Sequence, residues 1–236
     1  MRRNYLDEPY FNIARGHLKG VSAVHKFGKN SAVGLTQETV WSEGGSYTFP
    51  SEARTLSIAS ASGNDDVGNT GATSISIEGL DENYNEIREK ISLDGTSSVT
   101  TSKSYLRVNR AYVGGNTNIG KITVSHNSLT AAVIDAGMGQ TQMAVYTIPA
   151  NKQGYITHFS GAASKSGATD LMLFRRDFNG AFRILDELQL NINNMVSDKK
   201  VPLKLHEKTD LKVEATCASA GQTITSNFDV VLVEEL

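Results

Sequence analysis

The two halves of this chain spell a similar text in the same order. Tyr47-Thr48-Phe49-Pro50 returns as Tyr146-Thr147-Ile148-Pro149, Gly71-Ala72-Thr73 as Gly167-Ala168-Thr169, and Asp81-Glu82-Asn83 as Asp177-Phe178-Asn179, at offsets of 99, 96 and 96 residues. Ile91 and Leu93 align with Leu188 and Leu190 at an offset of 97, and Leu106-Arg107-Val108 resembles Leu211-Lys212-Val213 at 105. Collinear matches at nearly constant spacing indicate a duplicated unit of about 100 residues, the size of a small sandwich domain. Whatever the fold, it must close a core within that length, twice.

Within each unit the hydrophobic period is two. Leu56-Ser57-Ile58-Ala59 and Ser74-Ile75-Ser76-Ile77-Glu78 alternate, Ile87, Ile91 and Leu93 share a face, and Gly120-Lys121-Ile122-Thr123-Val124 ends the first half. Turn-forming runs such as Ser62-Gly63-Asn64-Asp65-Asp66 and Asp94-Gly95 separate these stretches, as in an all-β sandwich or barrel. Pro50 and Pro149 open equivalent strands, where a missing N–H breaks no central ladder. The best helical candidate, 128–136, is short and apolar and reads as a connection running into a strand. The expected fold is all-β: two tandem β-sandwich (jelly-roll-like) domains related by the repeat, at 36–127 and 128–236, after an extended N-terminal arm at 1–35. The arm has scattered glycine and no sustained period, yet it carries aromatics that a solvated tail has no use for, so it is expected to dock, either on its own domain or on a neighbour. Tyr5, Tyr10, Phe11 and Phe27, with Trp41 just beyond, are the candidate partner-contact residues. Trp41 itself reads first as an anchor that ties the arm to the first domain, and otherwise as a residue that faces a partner.

The chemistry-bearing residues form no recognisable constellation. The five histidines lack His-x-x-x-His or His-Glu-x-x-His spacing, so no zinc site is expected. Neither a Gly-x-Ser-x-Gly elbow nor a phosphate-binding Gly-rich loop is present. Asp65, Asp66, Asn64 and Asn69 place oxygens in one loop but lack the spacing of a calcium loop, and read as a solvated turn. Glu82, Glu86 and Glu89 read as charge that protects a strand edge from pairing. The clusters Arg175-Arg176-Asp177 and Asp198-Lys199-Lys200 read as turn surface. Cys217 is the one cysteine in 236 residues, so no intrachain disulfide can form, and its phase with Leu211, Val213 and Ala215 places it in a core. A net charge of −2 supplies no field for nucleic acid or an anionic membrane. No apolar stretch approaches a bilayer span, and the first eight residues lack the apolar run of a secretory signal. No catalytic, cofactor or metal residue is assigned, and the protein reads as a non-enzyme.

Over 25–125 the sequence resembles a family of tailed-phage virion structural proteins common in marine phages. The resemblance rests on His25-Lys26-Phe27-Gly28-Lys29-Asn30, Val40-Trp41, Gly44-Gly45-Ser46-Tyr47-Thr48-Phe49-Pro50 and Gly68-Asn69-Thr70-Gly71-Ala72. It continues through Ile77-Glu78-Gly79-Leu80-Asp81-Glu82-Asn83-Tyr84, Tyr105-Leu106-Arg107-Val108-Asn109-Arg110 and Asn118-Ile119-Gly120-Lys121-Ile122. It implies a place in the virion, assembled in the host cytoplasm. The expectation is a capsid cement or decoration protein that stabilises a bacteriophage head, a homotrimer whose partners are the major capsid protein or other virion proteins. A tail fibre, adaptor or host-binding (carbohydrate-binding) virion protein is the alternative. The resemblance carries no site residues with it.

Overall fold

A computed structural model of the chain describes residues 9–165, 167–191 and 194–235. Among them one short helix, α1 (Pro9–Ala14), precedes sixteen strands. These are β1 (Val21–Val33), β2 (Glu38–Thr39), β3 (Arg54–Ser60), β4 (Ala72–Leu80), β5 (Glu86–Ser92), β6 (Val99–Tyr105), β7 (Arg107–Gly115) and β8 (Ile122–His126). They continue as β9 (Leu129–Ile134), β10 (Val145–Thr147), β11 (Lys152–Ala163), β12 (Ala168–Arg176), β13 (Arg183–Asn191), β14 (Met195–Leu205), β15 (Asp210–Cys217) and β16 (Gln222–Glu234).

The strands pair into four antiparallel sheets, two for each repeat. In the first unit the orders are β6-β3-β8-β9 and β5-β4-β7; in the second they are β1-β16-β11-β14 and β10-β15-β12-β13, with β2 also on β15. One wiring diagram serves both. In β3–β8 and again in β11–β16, the first strand lies between the fourth and the sixth, and the second between the third and the fifth. Two antiparallel sheets wound in this way are the jelly-roll pattern. Register agrees as well: Ile75 faces Ile91 in the first unit, and Leu171 faces Leu188 in the second. The strands β4 and β12 both begin at the alanine of the repeated Gly-Ala-Thr and both end one residue before the repeated aspartate.

Each jelly roll has its own core. One gathers Leu56, Ile58, Ile75, Ile77, Tyr105 and Ile122; the other gathers Phe159, Leu171, Leu173, Val213, Phe228 and Val230. Phe159 and Phe228 are fully buried and directly opposed across β11 and β16. Each contributes about 1.5–3 kcal/mol by leaving water.

The two units interlock, and this moves both boundaries drawn from sequence. Residues 21–33 do not lie in an extended arm. They form β1, which pairs with β16 from Val21↔Val233 to Asn30↔Ile224 and completes the second jelly roll from the N-terminal side. The line at 127/128 cuts a hairpin, since β8 and β9 are joined through Asn127 at φ 56° and β9 edges the first unit. The segment 128–136 thus supplies a strand of that unit rather than a connection. The first jelly roll, 41–143, is inserted within one strand position of the second. The chain runs along β15 as β2 (Thr39 opposite Glu214), leaves at Val40, and returns as β10 (Val145 opposite Lys212). At the crossing, Val40 N donates to Val213 O (2.8 Å), Ala144 N to Val40 O (3.0 Å), and Val213 N to Ala144 O (2.9 Å). Gly28 of β1 lies against this junction, and a Cβ there would overlap Val40 O and Ala144 N.

Candidate functional site

Residues in or beside the repeated Tyr-Thr-x-Pro, Asp-x-Asn and Leu-x-Val motifs converge where the two jelly rolls meet. Arg107 opens β7 beside the bulge at Glu78/Gly79, and a Cβ at Gly79 would overlap its carbonyl. Glycine there lets β7 come close and turns the Arg107 side chain toward the other unit. Its guanidinium, 6% exposed, meets the 5% exposed carboxylate of Asp210 on β15 through two bonds, of 2.8 and 3.1 Å. Its remaining edge donates to the carbonyls of Pro50 (2.6 Å) and Leu106 (3.0 Å). Asp210 also accepts from Thr147 Oγ1 (2.6 Å) and from Arg176 at 2.6 and 3.1 Å. Burial works against the charge on Arg107, but its bonds to Asp210 outweigh that cost and hold the guanidinium protonated.

Around this carboxylate, cations and aromatic rings alternate. Lys208 lies 5.3 Å from the ring centre of Phe178 and 5.9 Å from that of Tyr84. Arg107 stands between Tyr84 (5.5 Å) and Phe49 (5.3 Å), and Arg176 between Phe49 (5.1 Å) and Phe182 (4.6 Å). Lys212 ends the series between Phe182 (4.5 Å) and Phe174 (5.6 Å). Every contact falls within the ~6 Å reach of a cation–π interaction, worth about 0.5–2 kcal/mol depending on desolvation. Phe49, Tyr84 and Arg107 belong to the first unit and the other six groups to the second, so this ladder clamps the two together.

One end of the ladder opens into a pocket of about 270 Å³, walled by Phe49, Tyr84 and Phe178 and floored by Arg107, Arg176 and Lys208. Three non-glycine residues on its rim hold left-handed backbone: Tyr84 (φ 65°), Asn179 (φ 58°) and Lys208 (φ 59°). For tyrosine and lysine that conformation costs on the order of 1 kcal/mol or more, and such strain gathers at sites that need a fixed shape. A second groove, of about 490 Å³, runs between β1 and the first unit, past Lys26, His25, Glu78, Glu86 and Arg110. Lys26 is buried there and donates to the carbonyl of Asn109. Burial, followed by the nearby Arg110 guanidinium, lowers its pKa to about 7 against the pull of Glu78.

The residues picked from sequence do not form one patch. Tyr5 lies outside the described residues. Tyr10 and Phe11 stand on α1, 67% and 53% exposed. Phe27 is half-buried on β1. Trp41 is no surface contact: it is buried, meets Tyr47 edge-on at 5.0 Å and donates from Nε1 to Gly44 O at 2.8 Å. It packs in the core of the first unit because the chain enters that unit at this point.

Two turn readings also change. Asp65 is fully buried, not solvated. It accepts from Ser60 Oγ (2.5 Å) and from the amides of Ala72 (3.0 Å), Ile119 (2.8 Å) and Gly120 (2.9 Å). Burial raises its pKa, and these four donors together overcome that and lower it. Arg176, read as turn surface, is a rung of the ladder. Glu89 on β5 accepts from the amides of Ser102 and Lys103 on β6, so it bridges two sheet edges. Cys217 is buried in the second core, where burial raises its pKa. Across one face of the second unit, His25, Asp229, His158 and Asp198 stand in a single register row on β1, β16, β11 and β14. His25 and His158 bond through Nδ1 to Asp229 (2.5 Å) and Asp198 (2.6 Å). Among the described residues no three His, Cys, Asp or Glu side chains converge as metal ligands, and no helix is long and apolar enough to cross a membrane.

No family model matches the chain, and no curated protein matches it. The resemblance of residues 25–125 to a tailed-phage family therefore finds no support in these comparisons. Among solved structures, the chain is similar to the infectious bursal disease virus VP2 subviral particle, with 11% identity and a TM-score of 0.26. That match covers 92% of this chain and 73% of the other. The infectious bursal disease virus Gx strain structure gives 11% identity and a TM-score of 0.26, over 91% and 72%. The Gt strain structure gives 10% and 0.21, over 92% and 73%.

Proposed function

We propose that this protein is a non-enzymatic structural component of a virion, and that it acts as a cement or decoration protein on a phage head. One observation carries the reading. A helix that precedes the first strand of a closed body, α1, leaves the large rings of Tyr10 and Phe11 in water. Exposed aromatics of this kind contribute most when a partner buries them. Tandem jelly rolls suit such a role, since the architecture recurs in viral shells, although it also serves lectins, so the fold by itself is only an analogy. The buried carboxylates are occupied in holding the fold: Asp65 by backbone amides, Asp210 by two guanidiniums, and Glu214 by Lys212 and Gln37.

The test is truncation. Removal of residues 1–17 leaves β1 whole, whereas a cut at residue 30 would strip the second jelly roll of its edge strand. The truncated protein, and the pair Tyr10→Ser/Phe11→Ser, should keep the circular dichroism spectrum and Tm of the full chain but fail to co-sediment with phage heads. Full decoration by the truncated form would refute the reading. A host-binding role in the tail is the second reading, favoured by the aromatic-walled pocket at the clamp. Immunogold labelling of particles separates the two.

A further inference from the structure

The clamp carries more positive charge at its open end than the domain junction needs. Asp210 answers Arg107 and Arg176, and Glu214 answers Lys212 at 2.5 Å. Lys208, at the mouth, has only Glu207 at 4.0 Å, and among the described residues its Nζ makes no hydrogen bond. Arg176 bonds Asp210 through Nε and one Nη2 hydrogen, which leaves its Nη1 donors without a partner among the described residues. Asp177, also in the pocket lining, pairs through Oδ2 with Arg183 and, at 3.7 Å, with Arg175, and its buried Oδ1 bonds to neither Lys208 nor Arg176. The pocket thus presents an ammonium and a guanidinium edge beneath two rings, Tyr84 and Phe178, set edge to face at 5.7 Å. Phe178 is 53% exposed, and Tyr84, Asn179 and Lys208 are all held in left-handed backbone around it.

We propose that this pocket binds a carboxylate-bearing sugar, a uronic acid or a related acidic monosaccharide unit. The carboxylate would lie on Lys208 and the free edge of Arg176, in the planar geometry that guanidinium–carboxylate pairs favour. The apolar face of the sugar ring would stack on the exposed Phe178, with Tyr84 against its edge, and Asn179 would supply amide contacts to hydroxyls. A volume of about 270 Å³ lies just below the ~300–1,000 Å³ of ordinary ligand pockets, which suits one ring rather than a chain. An acidic protein side chain would satisfy the cations but leave both rings bare, so the sugar is the better match. The inference does not depend on the virion role, and its failure would leave the reading of the α1 aromatics intact.

The experiment is an amide chemical-shift titration of the full chain at low salt with sodium glucuronate, glucose and sodium acetate. Glucuronate should give saturable shifts at Gly180 and Lys208, with neither glucose nor acetate binding as tightly. Lys208→Met and Phe178→Ala should each weaken glucuronate about tenfold or more, while Lys200→Met, on exposed β14, should leave it unchanged. Methionine at 208 meets the same backbone strain as lysine, and the exposed Phe178 offers a second variant that does not disturb the core. No saturable shift with glucuronate, equal binding of acetate, or equal weakening by Lys200→Met would each overturn the proposal.

Discussion

Replacement of Asp210 by asparagine removes the one carboxylate that two guanidiniums share. Arg107 is then left almost fully buried without a counter-charge, with carbonyls and the rings of Phe49 and Tyr84 around it, and Arg176 loses both of its bonds to the carboxylate. Removal of one partner of a buried ion pair costs about 3–5 kcal/mol, most of it the uncompensated charge left behind. For a chain of this size each kcal/mol lowers Tm by about 2–4 °C, so Asp210→Asn should lose roughly 6–20 °C. Arg107→Met should cost less, because Asp210 keeps Arg176 and Thr147 and the methionine refills the space under Phe49 and Tyr84. Differential scanning calorimetry on both single variants and the double variant closes the cycle. The Asp210→Asn penalty should fall by about 0.5–3 kcal/mol in the Arg107→Met background. A penalty below about 1 kcal/mol, or one unchanged by Arg107→Met, would show that the clamp does not join the units.

The buried Lys26 should make stability depend on pH. Its folded pKa, about 7, lies below the unfolded value near 10.5, so the folded state binds fewer protons between those limits and stability rises with pH across that window. Lys26→Met should therefore stabilise the protein at pH 6 by an amount on the order of 5 kcal/mol, and by much less at pH 10.5, as read by urea denaturation; an equal effect at both pH values would refute this. Asp65 works in the opposite sense. Its folded pKa is lowered, so its contribution is full above the ordinary carboxylate range near 4 and is lost as pH falls through the folded value. Asp65→Asn should destabilise at pH 7 by roughly 2–4 kcal/mol and flatten the acid limb of the stability curve. Gly28→Ala should prevent native folding, since its methyl group would displace the Val40–Ala144 crossing; a soluble variant with an unchanged Tm would show that the junction is looser than described.

The period of two and the repeat made the all-β class and the duplicated jelly roll legible, because both arise from which side chains face a core. β1 was hidden for the same reason. Its inward positions include Lys26, Gly28 and Asn30, all buried, and a strand with polar residues on its core side shows no hydrophobic alternation. The insertion was hidden because β2 and β10 are two and three residues long and share one position along β15 across a gap of more than a hundred residues. No local pattern encodes such a pairing. The clamp is only partly traced in the sequence. Phe49, Tyr84, Arg176 and Phe178 all lie in or beside the repeated motifs, and Arg107 interrupts the apolar pair Leu106 and Val108. Read singly they look like turns and a surface charge, since only the packing of one jelly roll on the other brings cation and ring together. Trp41 kept two readings open, because an isolated tryptophan beside glycines looks the same from sequence whether it anchors a core or meets a partner, and the anchor is the one found.

Hydrogen exchange of the β1 amides, followed by mass spectrometry on the intact chain, separates a docked strand from an arm. If β1 closes the second jelly roll, amides of 22–30 that bond to β16 should be protected for hours and lose that protection together with 222–234. Exchange of the same amides within seconds, while β16 stays protected, would mean that the N-terminal segment is an arm after all and that the second unit is not completed across the insertion.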